Sequence, residues 1–307
     1  MRKAFAETLA HLADADERIL LLTGDLGYMA LEPFAEAHPR RFFNVGVAEQ
    51  NMVGLATGLA EGGAIPFLYS IVTFALLRPY EFIRNGPIQH HLPVRIVGVG
   101  GGFEYGTAGT THHGLEDVAV ARAQPDLTVI APADHQQARA ALLSTWEQPG
   151  PIYYRIGKDD RTTVPGLDGR FDLARAQVIR NGADLVILSM GSVTVEAAAA
   201  AELLAARGIS ATVMVIASVS PAPIEDIAGA LARVGTALTV EAHYTNGGLG
   251  SLVCEIVAER GIACRVVRCG VKTGARGLSG SQQYLHRVHD LTPESLADTA
   301  HAALRRR

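Results

Sequence analysis

Short apolar runs alternate along the whole chain with longer segments of helical spacing. Arg18-Ile19-Leu20-Leu21-Leu22-Thr23 is apolar almost throughout and ends at Gly24-Asp25. That is the pattern of a parallel strand buried on both faces. Similar runs predict strands at 41–45, 65–69, 94–99, 127–130 and 152–155. Residues 2–14 place their apolar positions at helical spacing, and helices are expected near 49–61, 73–90, 115–123 and 134–147. Strand and helix in turn imply an α/β domain over residues 1–160. Residues 161–182 are polar and contain Pro165, Gly166 and Gly169. They read as a linker with a short strand at most. The alternation resumes over 183–307, with strands at 185–190, 211–216, 237–240 and 264–268 and helices at 192–206, 223–233 and 248–260. The expected fold class is α/β, with two doubly wound domains.

Composition narrows the function classes. The chain has 307 residues, 48% of them hydrophobic and 19% charged, which suits a globular protein with a substantial core. The net charge of −4, with no basic block, argues against nucleic acid as a partner. Cys254, Cys264 and Cys269 show no ligand or disulfide spacing and read as reduced packing residues of a cytoplasmic protein. No signal peptide is recognisable, and no apolar run is long enough to span a membrane. Two glycine-rich stretches, 98–102 and 247–250, lack the G-x-G-x-x-G spacing, so a dinucleotide fingerprint is absent.

The segment richest in chemical information is Asn44-Val45-Gly46-Val47-Ala48-Glu49-Gln50-Asn51-Met52-Val53-Gly54-Leu55-Ala56. One carboxylate, Glu49, stands among small and apolar residues between a strand and a helix. Such a group is costly without a partner. It either caps the helix or is held for a ligand. The wording of this segment resembles the pyrimidine-binding segment of transketolase-family thiamine diphosphate enzymes. The resemblance implies that residues 1–160 form a pyrimidine-binding domain and 183–307 a transketolase-type C-terminal domain. It implies that Glu49 bonds the aminopyrimidine ring of thiamine diphosphate and favours the tautomer that activates the cofactor.

Further residues join the match. Ser70-Ile71-Val72-Thr73-Phe74 aligns with the family stretch of two spaced aromatics; Phe74 keeps the second as a stacking wall, and Ile71 replaces the first. Arg78 and Tyr80 continue the motif. Asp25 and Leu26 match a turn near the cofactor and the subunit contact, although spacing alone also allows Asp25 to cap a helix. Gly106-Thr107-Ala108-Gly109-Thr110-Thr111-His112-His113-Gly114-Leu115-Glu116-Asp117 resembles the family's substrate loop, which makes His112 the expected proton-transfer residue. His113 reads as structural. So do His243 and the glycines 247–250, which are expected to pack a loop and helix against the neighbouring domain. Arg2 and Arg155 match arginines that hold anionic substrate groups.

Two departures and one absence shape the expectation. Ala108 and Gly100 stand where sugar-acting members carry a hydroxyl-reading aspartate and a phosphate-binding histidine. An ordinary pentose phosphate is therefore not the expected substrate. The chain has no G-D-G, the start of the motif that binds the diphosphate and its magnesium ion (Mg2+). The resemblance thus implies a C-terminal subunit of a split enzyme that transfers a two-carbon ketol or acyl unit between small molecules. An N-terminal transketolase-like partner would supply the missing motif in an α2β2 heterotetramer. Alternatives are the β subunit of a 2-oxo-acid dehydrogenase E1, a 1-deoxyxylulose-5-phosphate synthase-like enzyme, or a non-catalytic scaffold.

Overall fold

Apolar strands that bury both faces need helices on each side, and the computed structural model, which describes residues 1–274 and 277–305, builds two such layered units. The first sheet contains β1 (Ile19–Thr23), β2 (Phe42–Asn44), β3 (Ile65–Ile71), β4 (Arg95–Val99), β5 (Thr128–Ile130) and β6 (Ile152–Ile156). These six strands run parallel in the order β5-β6-β4-β3-β1-β2. Around them lie α1 (Arg2–Ala15), α2 (Glu32–Ala37), α3 (Glu49–Glu61), α4 (Tyr80–Ile83), α5 (Asp117–Arg122) and α6 (His135–Thr145). Asp134 caps α6, its carboxylate accepting from the Gln137 N–H at 2.8 Å.

The second sheet contains β7 (Gln177–Arg180), β8 (Leu185–Met190), β9 (Ala211–Val215), β11 (Thr236–Tyr244) and β12 (Arg265–Val271), in the order β12-β11-β8-β9-β7. Only β7 runs antiparallel to its neighbour. It is the short strand expected within 161–182. The covering helices are α7 (Thr194–Ala205), α8 (Ile224–Leu231), α9 (Leu249–Arg260), α10 (Gln282–Val288) and α11 (Pro293–Arg305). The last two were not predicted, although Ser281 caps α10 and Pro293 opens α11 in the usual manner.

Two expectations are corrected. The single helix over 73–90 is instead a wide π-type turn at Thr73–Leu77, the short α4, and a second wide turn at Arg84–Ile88. Pro79 and Pro87 remove backbone donors and break the regular ladder. The second correction is β10 (Ser218–Ser220), which follows the helical and strand pattern of the second half yet pairs antiparallel with β5. The first sheet is thereby extended by the other half of the chain.

The two units meet closely. The Tyr244 N–H donates to the Leu115 carbonyl at 3.0 Å, and Arg122 donates to the Gly247 carbonyl at 2.7 Å. Gly247 has φ +77°, and a Cβ there would lie 2.5 Å from Cβ of Ala119 in α5. The glycine stretch does let the two halves approach, as expected. Buried Glu241 accepts from the N–H groups of Leu249 and Gly250 at 2.7 and 3.0 Å, at the start of α9, and lies 2.7 Å from His243 Nε2. Glu241 anchors a helix N-terminus.

Gly247→Val is expected to destabilise the chain by about 2–4 kcal/mol, from left-handed backbone strain and overpacking against Ala119. Gly229→Ala, within α8 where an added Cβ meets nothing within 4 Å, is expected to stabilise by about 0.5–1 kcal/mol. Urea unfolding of the two variants checks both signs.

Candidate active site

Parallel strands send their connecting loops out at the carboxyl ends, and that edge of the first sheet gathers the chemistry. The loop after β1 supplies Gly24 and Asp25, β2 leads to Glu49, and β3 to Ser70 and Phe74. β4 leads into the loop carrying Tyr105 and His112, and β6 leads to Lys158.

Glu49 is the first residue of α3 and is 0% exposed. The helix is not capped by its side chain; Ala48 occupies the cap position. Instead Oε1 accepts from Ser70 Oγ at 3.0 Å and Oε2 from Arg78 Nη1. Of the two readings left open by the sequence, the capping one therefore fails. Gly24 makes room for the carboxylate, since a Cβ there would lie 3.2 Å from Oε1. The guanidinium of Arg78 also lies over the Phe74 ring, 4.4 Å from its centroid. Phe74 meets His112 edge-on at 5.1 Å between centroids, and His112 lies 6.3 Å from Tyr105. Thr111 Oγ1 is 2.9 Å from His112 Nδ1 and fixes the ring's orientation. Glu49, Arg78, Phe74 and His112 thus form one continuous line of contacts.

Asp25 is exposed, with φ +58°. Its carboxylate accepts from Asn44 Nδ2 and the Tyr28 hydroxyl at 3.0 and 3.1 Å, and its N–H donates to Asn44 Oδ1. Its helix-capping reading fails too, because α2 begins only at Glu32. The Leu26 carbonyl accepts from Thr23 Oγ1 at 2.8 Å, which pins the same turn.

Two expected site residues are used internally. Tyr80 donates its hydroxyl to the Val120 carbonyl and accepts from Gln124 Nε2, so it ties α4 to α5 and its polar end is not offered to a cofactor. Arg155 is 5% exposed; its Nε bonds Asp117 at 2.8 Å and Nη2 bonds the Gly114 carbonyl at 3.1 Å. Its charge is consumed in holding the His112 loop, and the expected grip on a substrate anion is corrected. Arg2 remains half-buried with Nε unbonded among the described residues. Ala108 is exposed in the loop. His113 is buried against Phe103, with Nε2 3.3 Å from the Gly106 carbonyl, which fits its structural reading. Ser70 and Gly24 escaped the sequence reading. Ser70 is the one small polar residue in the otherwise apolar and aromatic run of β3, and that was the available signal.

A buried carboxylate and an aromatic ring, bridged by one guanidinium, thus stand together at the strand carboxyl ends of an α/β sheet. Residues 1–161 match the transketolase pyrimidine binding domain and residues 174–296 the transketolase C-terminal domain. The chain is 35% identical over 271 residues to an apulose-4-phosphate transketolase subunit of Phocaeicola vulgatus, covering 87% of this chain and 86% of that protein. It is 34% identical to a 6-deoxy-6-sulfo-D-fructose transketolase subunit of a Clostridium species, covering 100% and 95%. A solved split-gene transketolase, described as an inactive β4 tetramer, superposes with a TM-score of 0.88 at 34% identity over 99% of this chain and 97% of that one. The chain belongs to the transketolase family of thiamine diphosphate-dependent transferases and corresponds to the C-terminal half of a split member.

Because Asp117 and Arg155 are both buried, removing one strands the other's charge. Arg155→Met is expected to cost about 3–5 kcal/mol of stability. Tyr80→Phe should cost only about 1 kcal/mol, the value of one hydrogen bond. Thermal unfolding of both variants distinguishes these internal roles.

Proposed function

We propose that the chain is the pyrimidine-side subunit of a two-chain enzyme that moves a two-carbon ketol or acyl unit between small molecules, with Glu49 as the cofactor-activating residue. One observation carries the reading. Glu49 is completely buried, yet among the described residues its carboxylate bonds, outside Ser70, only Arg78, whose own side chain is 38% exposed at the site's mouth. A carboxyl group kept dry beside an open aromatic wall suits the aminopyrimidine of thiamine diphosphate. When bound, that cofactor supplies a carbanion able to take up and pass on a two-carbon unit. This chain's residues do the rest. Ser70 fixes one oxygen of Glu49, and the other is free to bond the ring once Arg78 swings aside. Phe74 lies flat as the wall, with Ile71 beside it. Asp25 and Leu26 shape the turn at the cofactor's edge. His112, steadied by Thr111, holds or moves a proton on the substrate side.

The diphosphate and magnesium ion fall to an N-terminal subunit, since this chain has no G-D-G motif and no three metal-ligating side chains converge among the described residues. The assembly is an α2β2 heterotetramer. Exposed Tyr28 and Met29, in the loop after β1, and Val47 and Leu55, just before and within α3, leave apolar side chains open on the elements that carry Asp25 and Glu49, which supports docking of that partner there. The relatives named for apulose 4-phosphate and for 6-deoxy-6-sulfo-D-fructose support a substrate other than an ordinary pentose phosphate. Among the described residues no helix is long and apolar enough to cross a membrane, and the three cysteines are free. A cytoplasmic enzyme is the reading these support.

Glu49→Gln keeps the shape and removes the carboxyl group. Turnover of the reconstituted complex is expected to fall at least about a hundredfold, with hydrogen–deuterium exchange at the cofactor's reactive carbon slowed in parallel. Unchanged exchange would make Glu49 merely structural. In calorimetry the chain alone is expected to bind thiamine diphosphate weakly whether or not Mg2+ is present. Tight, Mg2+-dependent binding without a partner would refute the divided site.

A further inference from the structure

In the loop that carries His112, one phenyl ring gathers three imidazoles. Phe103 is fully buried there, in an apolar cluster with Leu115, Val271 and Leu285. His289, which follows α10, stacks on it at 5.0 Å between centroids and 11° between planes. His113 meets it edge-on at 5.2 Å, and His286 of α10 lies at 6.4 Å. Both halves of the chain therefore close on a single ring. The Gly280 N–H, just before α10, also donates to the Gly106 carbonyl of the same loop at 3.2 Å.

The hydrogen bonds of these imidazoles suit neutral rings. His113 Nε2 lies 3.3 Å from the Gly106 carbonyl, and His286 Nδ1 lies 3.1 Å from Glu196 Oε1. Both partners are acceptors, so the facing nitrogen carries the hydrogen. The opposite nitrogen of each ring, and Nε2 of His289, is buried without a partner among the described residues. A neutral imidazole donates from one nitrogen, whereas an imidazolium donates from both. Protonation of His113 or His286 thus adds a buried N–H that nothing accepts, and it crowds like charges around Phe103.

The surrounding charges are few. Glu196, from α7, favours a proton on His286. Burial first, and His286 and His113 after it, hold the His289 pKa below the ordinary histidine value, against the pull of Asp290. Tyr244, from β11, packs against the same apolar cluster, and burial raises its pKa.

We propose that His113, His286 and His289 form an acid-sensitive latch on Phe103: as neutral rings they hold α10 against the loop of His112, and their protonation frees both. The latch rests on this packing alone. Its effect on turnover rests on the reading of His112 as the residue that handles the substrate's proton. The sign follows from linkage. Well above pH 7 the latched and open forms hold the same protons. As pH falls past about 6.5, the ordinary histidine value, the open form takes up protons that the packed cluster refuses, so opening becomes easier. The effect levels off once the packed rings are themselves protonated.

Hydrogen exchange of the full chain, without cofactor or partner, is followed by mass spectrometry at about pH 7.5 and about pH 5.5, with the intrinsic pH dependence of amide exchange removed. Protection in α10 and in residues 102–114 is expected to fall at least about tenfold at the lower pH, while α3 and α11 stay within about threefold. His289→Phe keeps a stacked ring that cannot titrate, and His113→Gln keeps a donor for the Gly106 carbonyl. The double variant is expected to hold its protection within about threefold across the same pH range, and His289→Phe alone to show a fall of about threefold. Equal protection of α10 and the loop at both pH values in the parent overturns the latch. A fall shared by all elements overturns it too. So does the full fall persisting in His289→Phe, or in a double variant whose thermal unfolding at the higher pH matches the parent. Glu49→Gln is expected to leave this response unchanged, so the latch and the activating role of Glu49 stand or fall separately.

Discussion

The carboxylate of Glu49 is the constraint around which the first sheet's loops are arranged. A fully buried carboxylate must be compensated, and the ends of two strands contribute to this one. The loop after β1 gives way at Gly24, β3 ends on the Ser70 hydroxyl, and the wide turn beyond β3 delivers Arg78. The irregular backbone over 73–88 follows from Pro79 and Pro87, and within it Arg78 reaches both the buried Glu49 carboxylate and the Phe74 ring.

Charge inside the molecule divides into two kinds. Asp117 with Arg155, and Glu241 with the start of α9, are satisfied within the chain and hold the loop and domain contact rigid. Arg2 keeps Nε without an acceptor among the described residues, and Arg78 is partly open to solvent. Catalytic sites need the first kind to fix the second, because a group held ready for a ligand leaves part of its bonding capacity unused.

The second unit contributes to the site indirectly. Its strand β10 completes the first sheet beside β5, and its glycine stretch lies against α5, which starts at the residue that binds Arg155. The loop carrying His112 is thereby clamped between the two halves of the chain. Its hydrogen bonds from Gly102 to Gly114, and from the Gly280 N–H to the Gly106 carbonyl, come from both.

The sequence by itself determined the two alternating α/β patterns and nearly every central strand, and it singled out Glu49, Phe74 and His112, which the fold joins through Arg78 into one line of contacts. Apolar periodicity is a local property, and a thirteen-residue motif carries its own context. It could not place β10, a three-residue strand whose partner lies in the other half of the chain. Nor could it tell that Arg155 is spent on Asp117 or that Tyr80 turns to α5. Those outcomes depend on which side chains meet across loops distant in sequence. An arginine's spacing records that a positive charge is present; only packing decides whether that charge is neutralised inside the protein or left for a ligand.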